Sequence, residues 1–157
     1  MISLRHWSVR HAGFLERSYA RLWRLAMVFE PAWRRLGYGR LEAPVAALER
    51  GLKGLLFDCR MCGRCILGAT GMACPMNCPE ELRNGPCGGV RPDGGCEVEP
   101  AMRCVWVEAW EGSRRMAGGA AMLELQGPLD HSLVGTSAWL REAREEAAAG
   151  GDTEPAP

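Results

Sequence analysis

All eight cysteines of this 157-residue chain fall between Cys59 and Cys104, and that crowding constrains the fold more than any other feature. The segment opens Cys59-Arg-Met-Cys62-Gly-Arg-Cys65. Three thiolates at Cys-x2-Cys-x2-Cys spacing can reach one metal ion or one cluster, so metal binding is expected to hold this segment folded. Cys74-Pro75, Cys78-Pro79, Cys87-Gly88-Gly89, Cys96 and Cys104 follow, with Gly and Pro rich in the spacers. Iron–sulfur clusters favour such chain, because tight turns aim backbone N–H groups at sulfur and leave little bulk around it.

The pattern departs from the bacterial ferredoxin run, whose third and fourth cysteines are three residues apart and whose last ligand precedes proline. Here eight residues separate Cys65 from Cys74. Eight thiolates suffice for two four-cysteine sites, up to two 4Fe–4S clusters, but their order along the chain does not say which four share a site. Zinc is the main alternative, since structural zinc also takes four thiolates. Its ribbons and fingers, however, usually carry two separated Cys-x2-Cys pairs, and no second pair is present here. Disulfides would suit a small secreted protein, but the N-terminal residues lack an apolar core of signal-peptide length, so a cytoplasmic location is expected. His6, His11 and His131 lie outside the cysteine segment and read as ordinary solvated or hydrogen-bonded side chains. Asp58, Glu80 and Glu81 flank cysteines and read as solvated surface carboxylates.

Length excludes a complete (β/α)8 barrel, which needs about 250 residues, and no dinucleotide fingerprint or P-loop ending is present. Net charge is zero, yet residues 1–50 carry nine arginines against four acids, while residues 116–157 carry two arginines against seven acids. Such asymmetry favours intramolecular or subunit docking, and no nucleic-acid-binding motif accompanies it.

The pattern predicts a small, metal-stabilised, mainly α fold with irregular Gly/Pro-rich cysteine loops and few or no strands. Residues 1–57 read as an amphipathic helical docking region, with one helix over about 12–30 and a second from Pro44 that delivers Cys59 at its end. Leu15, Tyr19, Leu22, Leu25 and Ala26 form the first stripe, and Val45, Leu48, Leu52, Leu55 and Leu56 the second; both need a covering partner. Residues 58–115 form the metal-binding domain, in which Pro100 is positioned to start a helix carrying Cys104, Trp106 and Trp110. Residues 116–146 read as a linker and a C-terminal helix capped by Thr136 or Ser137, and residues 147–157 as a disordered tail. No run spans a bilayer; peripheral contact of the Arg- and Trp-bearing helices with an anionic membrane is compatible with the composition.

The residues together resemble a known family. Cys59-Arg-Met-Cys62-Gly-Arg-Cys65-Ile-Leu, Gly71-Met-Ala-Cys74-Pro75, Cys78-Pro79, Asn84-Gly-Pro-Cys87-Gly-Gly, Gly95-Cys96-Glu-Val and Arg103-Cys104-Val-Trp are similar to the cysteine-rich methylenetetrahydrofolate reductase C-terminal domain, over roughly residues 50–115. The N-terminal helices and Gly135-Thr-Ser-Ala-Trp139 look like those of stand-alone small-subunit members. The resemblance implies an accessory iron–sulfur or zinc subunit in one-carbon metabolism, beside a catalytic methylenetetrahydrofolate reductase subunit that carries the flavin and binds the folate. The expected role is electron relay or structural support by an accessory subunit of an oxidoreductase, with metal ligands Cys59, Cys62, Cys65, Cys74, Cys78, Cys87, Cys96 and Cys104 and no catalytic residue. The alternatives are a zinc scaffold without redox role and an independent ferredoxin-like carrier.

Overall fold

The computed structural model describes residues 4–151. Four helices lie N-terminal to the cysteines: α1 (Arg5–Arg10), α2 (Ala12–Val28), α3 (Glu30–Leu36) and α4 (Tyr38–Phe57). Two follow, α5 (Val105–Ser113) and α6 (Ala138–Gly151). Between α4 and α5 the chain is turns and bends, with a single 3-10 turn at Pro75–Asn77. Among the described residues, the only sheet-like pairing is an isolated antiparallel bridge between Gly95 and Arg103. The fold is thus mainly helical and small, with irregular cysteine loops.

The prolines act where the sequence marks them, but not always as stops. Pro31 sits in the first turn of α3, where its missing N–H costs nothing. Pro44, expected to begin a helix, lies inside α4, which starts six residues earlier at Tyr38. It is exposed, so water can satisfy the carbonyl it leaves unpaired. At the other end Asp58 adopts a left-handed conformation, φ 52°, and this turn swings the chain out of α4 into Cys59. The helix expected from Pro100 starts only at Val105, with Cys104 at its N-cap, because Cys96 N–H and Cys104 N–H bond the carbonyls of Met102 and Gly94 in the preceding hairpin-like loop. Helix α6 runs to Gly151; residues 152–157, the end of the expected tail, lie outside the described residues.

Two apolar clusters make the interior, and both contain cysteines. Ala12, Phe57, Leu67, Met72, Met76 and Met116 pack with Cys74 and against Cys62. Val9, Ala73, Val105, Trp106 and Ala109 pack with Cys104 and against Cys78. Helix α1 lies between α4 and α5. It is pinned to α5 by the buried Glu108, whose carboxylate pairs with Arg5 Nε at 3.3 Å and His6 Nδ1 at 2.6 Å. Gly71 and Gly112 let the cysteine loops approach α5 closely, since a Cβ on Gly71 would stand 2.2 Å from the Ala109 carbonyl oxygen.

Helix α4 is turned in an unexpected sense. It buries Glu49 and Lys53, 1% and 6% exposed, while Leu48, Leu52 and Leu55 face outward, Leu48 at 58%. The buried pair is anchored by α6. Glu49 Oε2 accepts from Ser137 Oγ at 2.7 Å and Trp139 N–H at 3.3 Å, and Ser137 Oγ accepts from Leu140 N–H at 3.2 Å as the helix N-cap. A carboxylate at the positive end of α6 is favourably placed. The stripe on α2 also divides: Leu15 packs on the first apolar cluster, whereas Leu22, Leu25, Val28 and Phe29 are exposed.

Candidate metal centre

The chain folds its eight cysteines around two separate cavities. Cys59, Cys62, Cys65 and Cys74 line the first together with Glu49, Lys53 and Thr136. Cys78, Cys87, Cys96 and Cys104 line the second together with Glu80, Glu97 and Trp106. The cavities are similar in size, about 360 and 300 Å³ of empty space with their open mouths included. Division falls between Cys74 and Cys78, so the first four cysteines along the chain share one cavity and the last four the other. The 3-10 turn at Pro75–Asn77 lies at this boundary; Asn77 Nδ2 donates to the Phe57 carbonyl at 3.0 Å and fixes the turn against the end of α4.

The loops of the first cavity turn by repeated use of left-handed backbone. Asp58, Met61, Gly63, Gly71 and Met72 all have φ between 50° and 73°. For the non-glycine residues this costs energy that surrounding contacts must repay, and such residues gather at functional sites. Gly63 has a further constraint, because a Cβ there would meet the Leu133 carbonyl oxygen at 2.2 Å. The turns place donors beside sulfur. Met61 N–H faces Cys59 Sγ at 3.3 Å, Leu67 N–H faces Cys65, and the N–H groups of Met76 and Arg60 face Cys74.

Charged side chains complete the first cavity. Lys53 Nζ pairs with Glu49 Oε1 at 2.6 Å, lies 5.0 Å from the centre of the Trp139 ring and shares the cavity with Cys65. Burial opposes its charge, but Cys65 and Glu49 outweigh burial and hold its ammonium above the ordinary lysine value. Arg83 Nη1 approaches Cys62 Sγ at 3.8 Å, while its Nε and Nη2 bond the carbonyls of Gly127 and Arg64, each at 3.2 Å. The Cys74 thiol hydrogen-bonds Cys59, which with the Met61 N–H and Lys53 pushes Cys59 down to about 6 despite its burial. The same bond, with burial, drives Cys74 upward. Burial also raises Cys65, whose sulfur is crowded by protein on the cavity side although the residue reaches solvent. Metal binding requires the thiolate form and releases the thiol proton.

The second cavity has the opposite character. Cys87 is exposed, and its sulfur lies 3.2 Å from Glu97 Oε1. Ligand atoms of Glu80, Cys87 and Glu97 all fall within 4.8 Å of one another. Gly89 N–H, 3.4 Å from Cys87 Sγ, lowers the thiol pKa, but Glu97 and Glu80 dominate and raise it to about 11. Glu80 therefore belongs to the cavity, whereas Asp58 lies 3.6 Å from Arg60 in an exposed pair. Trp106 is buried in the cavity wall, and its Nε1–H has no hydrogen-bond partner among the described residues. An orphaned buried donor beside four thiols suits an occupant that accepts a hydrogen bond. Trp110, one turn later, is half exposed.

The eight cysteines and their surroundings fit metal binding. Sequence reading missed Glu49, Lys53, Arg83 and Glu97 as neighbours of the thiols, whereas it placed Trp106 on the helix beside Cys104. One signal was available: Lys53 is the only lysine among nineteen basic residues and stands four positions after Glu49 on an apolar helix. Among the described residues no helix is long and apolar enough to cross a membrane. A family model described as "Methylene-tetrahydrofolate reductase C terminal" matches residues 38–132. No curated protein and no solved structure matches the chain.

Proposed function

The chain belongs to the methylene-tetrahydrofolate reductase C-terminal family, and from that premise we propose that it is an iron–sulfur accessory subunit that serves a flavin-containing catalytic reductase in one-carbon metabolism. The observation that carries this reading is the pair of four-cysteine cavities. Cys59, Cys62, Cys65 and Cys74 would hold one 4Fe–4S cluster, and Cys78, Cys87, Cys96 and Cys104 a second. Bound clusters supply one-electron transfer, which a flavin can receive. The protein's own residues hold the thiolates in place, aim N–H groups at sulfur and cover the first site with α4 and α6. Thiolates that accept several N–H bonds are better suited to a delocalised cluster than to a role in surface chemistry. No residue here is assigned an acid, base or nucleophile, and the flavin and folate belong to the partner.

The docking face is proposed to be the outward side of α4 and the distal half of α2. Leu48, Leu52 and Leu55 are exposed on α4, as are Leu4 and Trp7 of the N-terminal segment, and Leu4 N–H bonds the Leu55 carbonyl at 3.1 Å. Leucines outside and a Glu–Lys pair inside is an arrangement that a covering protein makes favourable. A cytoplasmic location accords with so many unpaired thiols.

Anaerobic purification followed by iron, zinc and acid-labile sulfide analysis with EPR tests the metal. About eight iron and eight sulfide per chain, as two 4Fe–4S clusters require, with a reducible spectrum, are expected. Stoichiometric zinc without sulfide would leave a structural zinc scaffold and end the relay reading.

A further inference from the structure

The two cavities differ in the charges that face their sulfurs. Around the first, Lys53 and Arg83 oppose one carboxylate, Glu49, and both cations are buried. Arg83 bonds neutral carbonyl oxygens on its other side, so its charge is directed at Cys62. Backbone N–H groups of Arg60, Met61, Leu67 and Met76 add positive dipole ends at the cysteines. Around the second cavity stand Glu80 and Glu97 with Cys87 between them. The nearby Arg91 is taken up by Asp93, at 2.5 Å, and Arg103 by Glu111.

Reduction of a cluster adds negative charge. Nearby cations and N–H donors stabilise the reduced form, and carboxylates destabilise it. We infer that the two sites are electrostatically ranked: a cluster held by Cys59, Cys62, Cys65 and Cys74 is reduced at the higher potential, and one held by Cys78, Cys87, Cys96 and Cys104 at the lower. This rests on the iron–sulfur reading above. Three features of the second cavity work the other way, the Gly89 N–H at Cys87 Sγ, the orphan Trp106 Nε1–H and the exposure of Cys87. Dipoles and partial hydration are set there against two full negative charges, while the cations of the first cavity lie where solvent screens them least.

The test is an EPR-monitored redox titration of the anaerobically purified full chain with dithionite, accompanied by iron and sulfide analysis. Two reduction events are expected. Glu97→Gln, at an exposed side chain that the fold does not need, should raise the lower midpoint and leave the upper in place. The expected change is three- to tenfold in the reduced-to-oxidised ratio at fixed potential, the upper bound being about 59 mV for a one-electron couple. Lys53→Gln should lower the upper midpoint alone; if that variant does not fold, Glu97→Gln decides by itself. A common midpoint, or a Glu97→Gln effect on the upper event, overturns the ranking while leaving the iron–sulfur reading intact. Zinc in place of iron and sulfide overturns both.

Discussion

Lys53 and Glu49 show how much a single buried pair can decide. Their side chains are 7% and 1% exposed, and both line the cavity that holds Cys65, so the pair joins α4, α6 and the first cavity. Removing one partner leaves an uncompensated buried charge, at a cost of about 3–5 kcal/mol. Lys53→Met should therefore destabilise the metal-loaded protein by that amount in urea unfolding, whereas the double change Glu49→Gln with Lys53→Met should recover most of the loss. Equal losses for the single and double variants would show that the charge itself is not at stake. Gly63 sets a different limit. Gly63→Ala must overcome φ 73° and a 2.2 Å approach to the Leu133 carbonyl. Backbone strain alone is of order 1–3 kcal/mol, so a lower unfolding midpoint with weaker metal retention is expected. Gly63 could not be told from the other glycines among the cysteines, and the Glu49–Lys53 spacing carried only the weak signal of a lone lysine, because an i,i+4 Glu–Lys pair is ordinarily a solvated helix surface.

Outside the two apolar clusters, polar contacts join the helices, and those made by tyrosines are sensitive to alkali. Tyr19 of α2 donates to Glu142 of α6 at 2.8 Å, and Trp23 donates to Glu146 at 2.7 Å. Tyr38 at the start of α4 donates to Glu30 of α3 at 2.7 Å. Burial first, and then the neighbouring carboxylate, raises both tyrosines above their ordinary value of 10.0. The folded state thus holds these protons more tightly than the unfolded state does. Their contribution to stability is complete below pH 10 and declines as pH rises beyond it. Tyr19 and Tyr38 are the only tyrosines, so an ultraviolet titration of the folded protein should show both ionising above pH 10, with Tyr19 the more strongly displaced. A normal titration of both in folded protein would contradict the two bonds. The charge asymmetry between the chain's halves pointed to docking in general and not to this pairing, in which Tyr and Trp donors, rather than arginines, meet the two acids.

At the scale of the whole molecule, each apolar cluster is built partly from cysteines, and metal binding and folding are expected to be one process. Chelation under anaerobic conditions should abolish hydrogen-exchange protection around Cys59–Cys104; persistence of that protection in metal-free protein would separate folding from metal. The outward leucines make a second global prediction. Leu48→Glu with Leu52→Glu should abolish co-purification with a co-expressed catalytic reductase while metal content stays unchanged, because these side chains lie outside the core. Undiminished co-purification would move the docking face elsewhere. The sequence by itself determined the chemistry and the class of fold: thiol spacing, turn residues and the family signature are local properties, carried by neighbours along the chain. Tertiary structure alone decided which four cysteines meet, that α4 turns a Glu–Lys pair inward, and that cations face one cavity and carboxylates the other. Those outcomes depend on where the N-terminus of α6 and the loops around Arg83 and Glu97 come to rest, and contacts between distant segments leave no periodicity in a single chain to read.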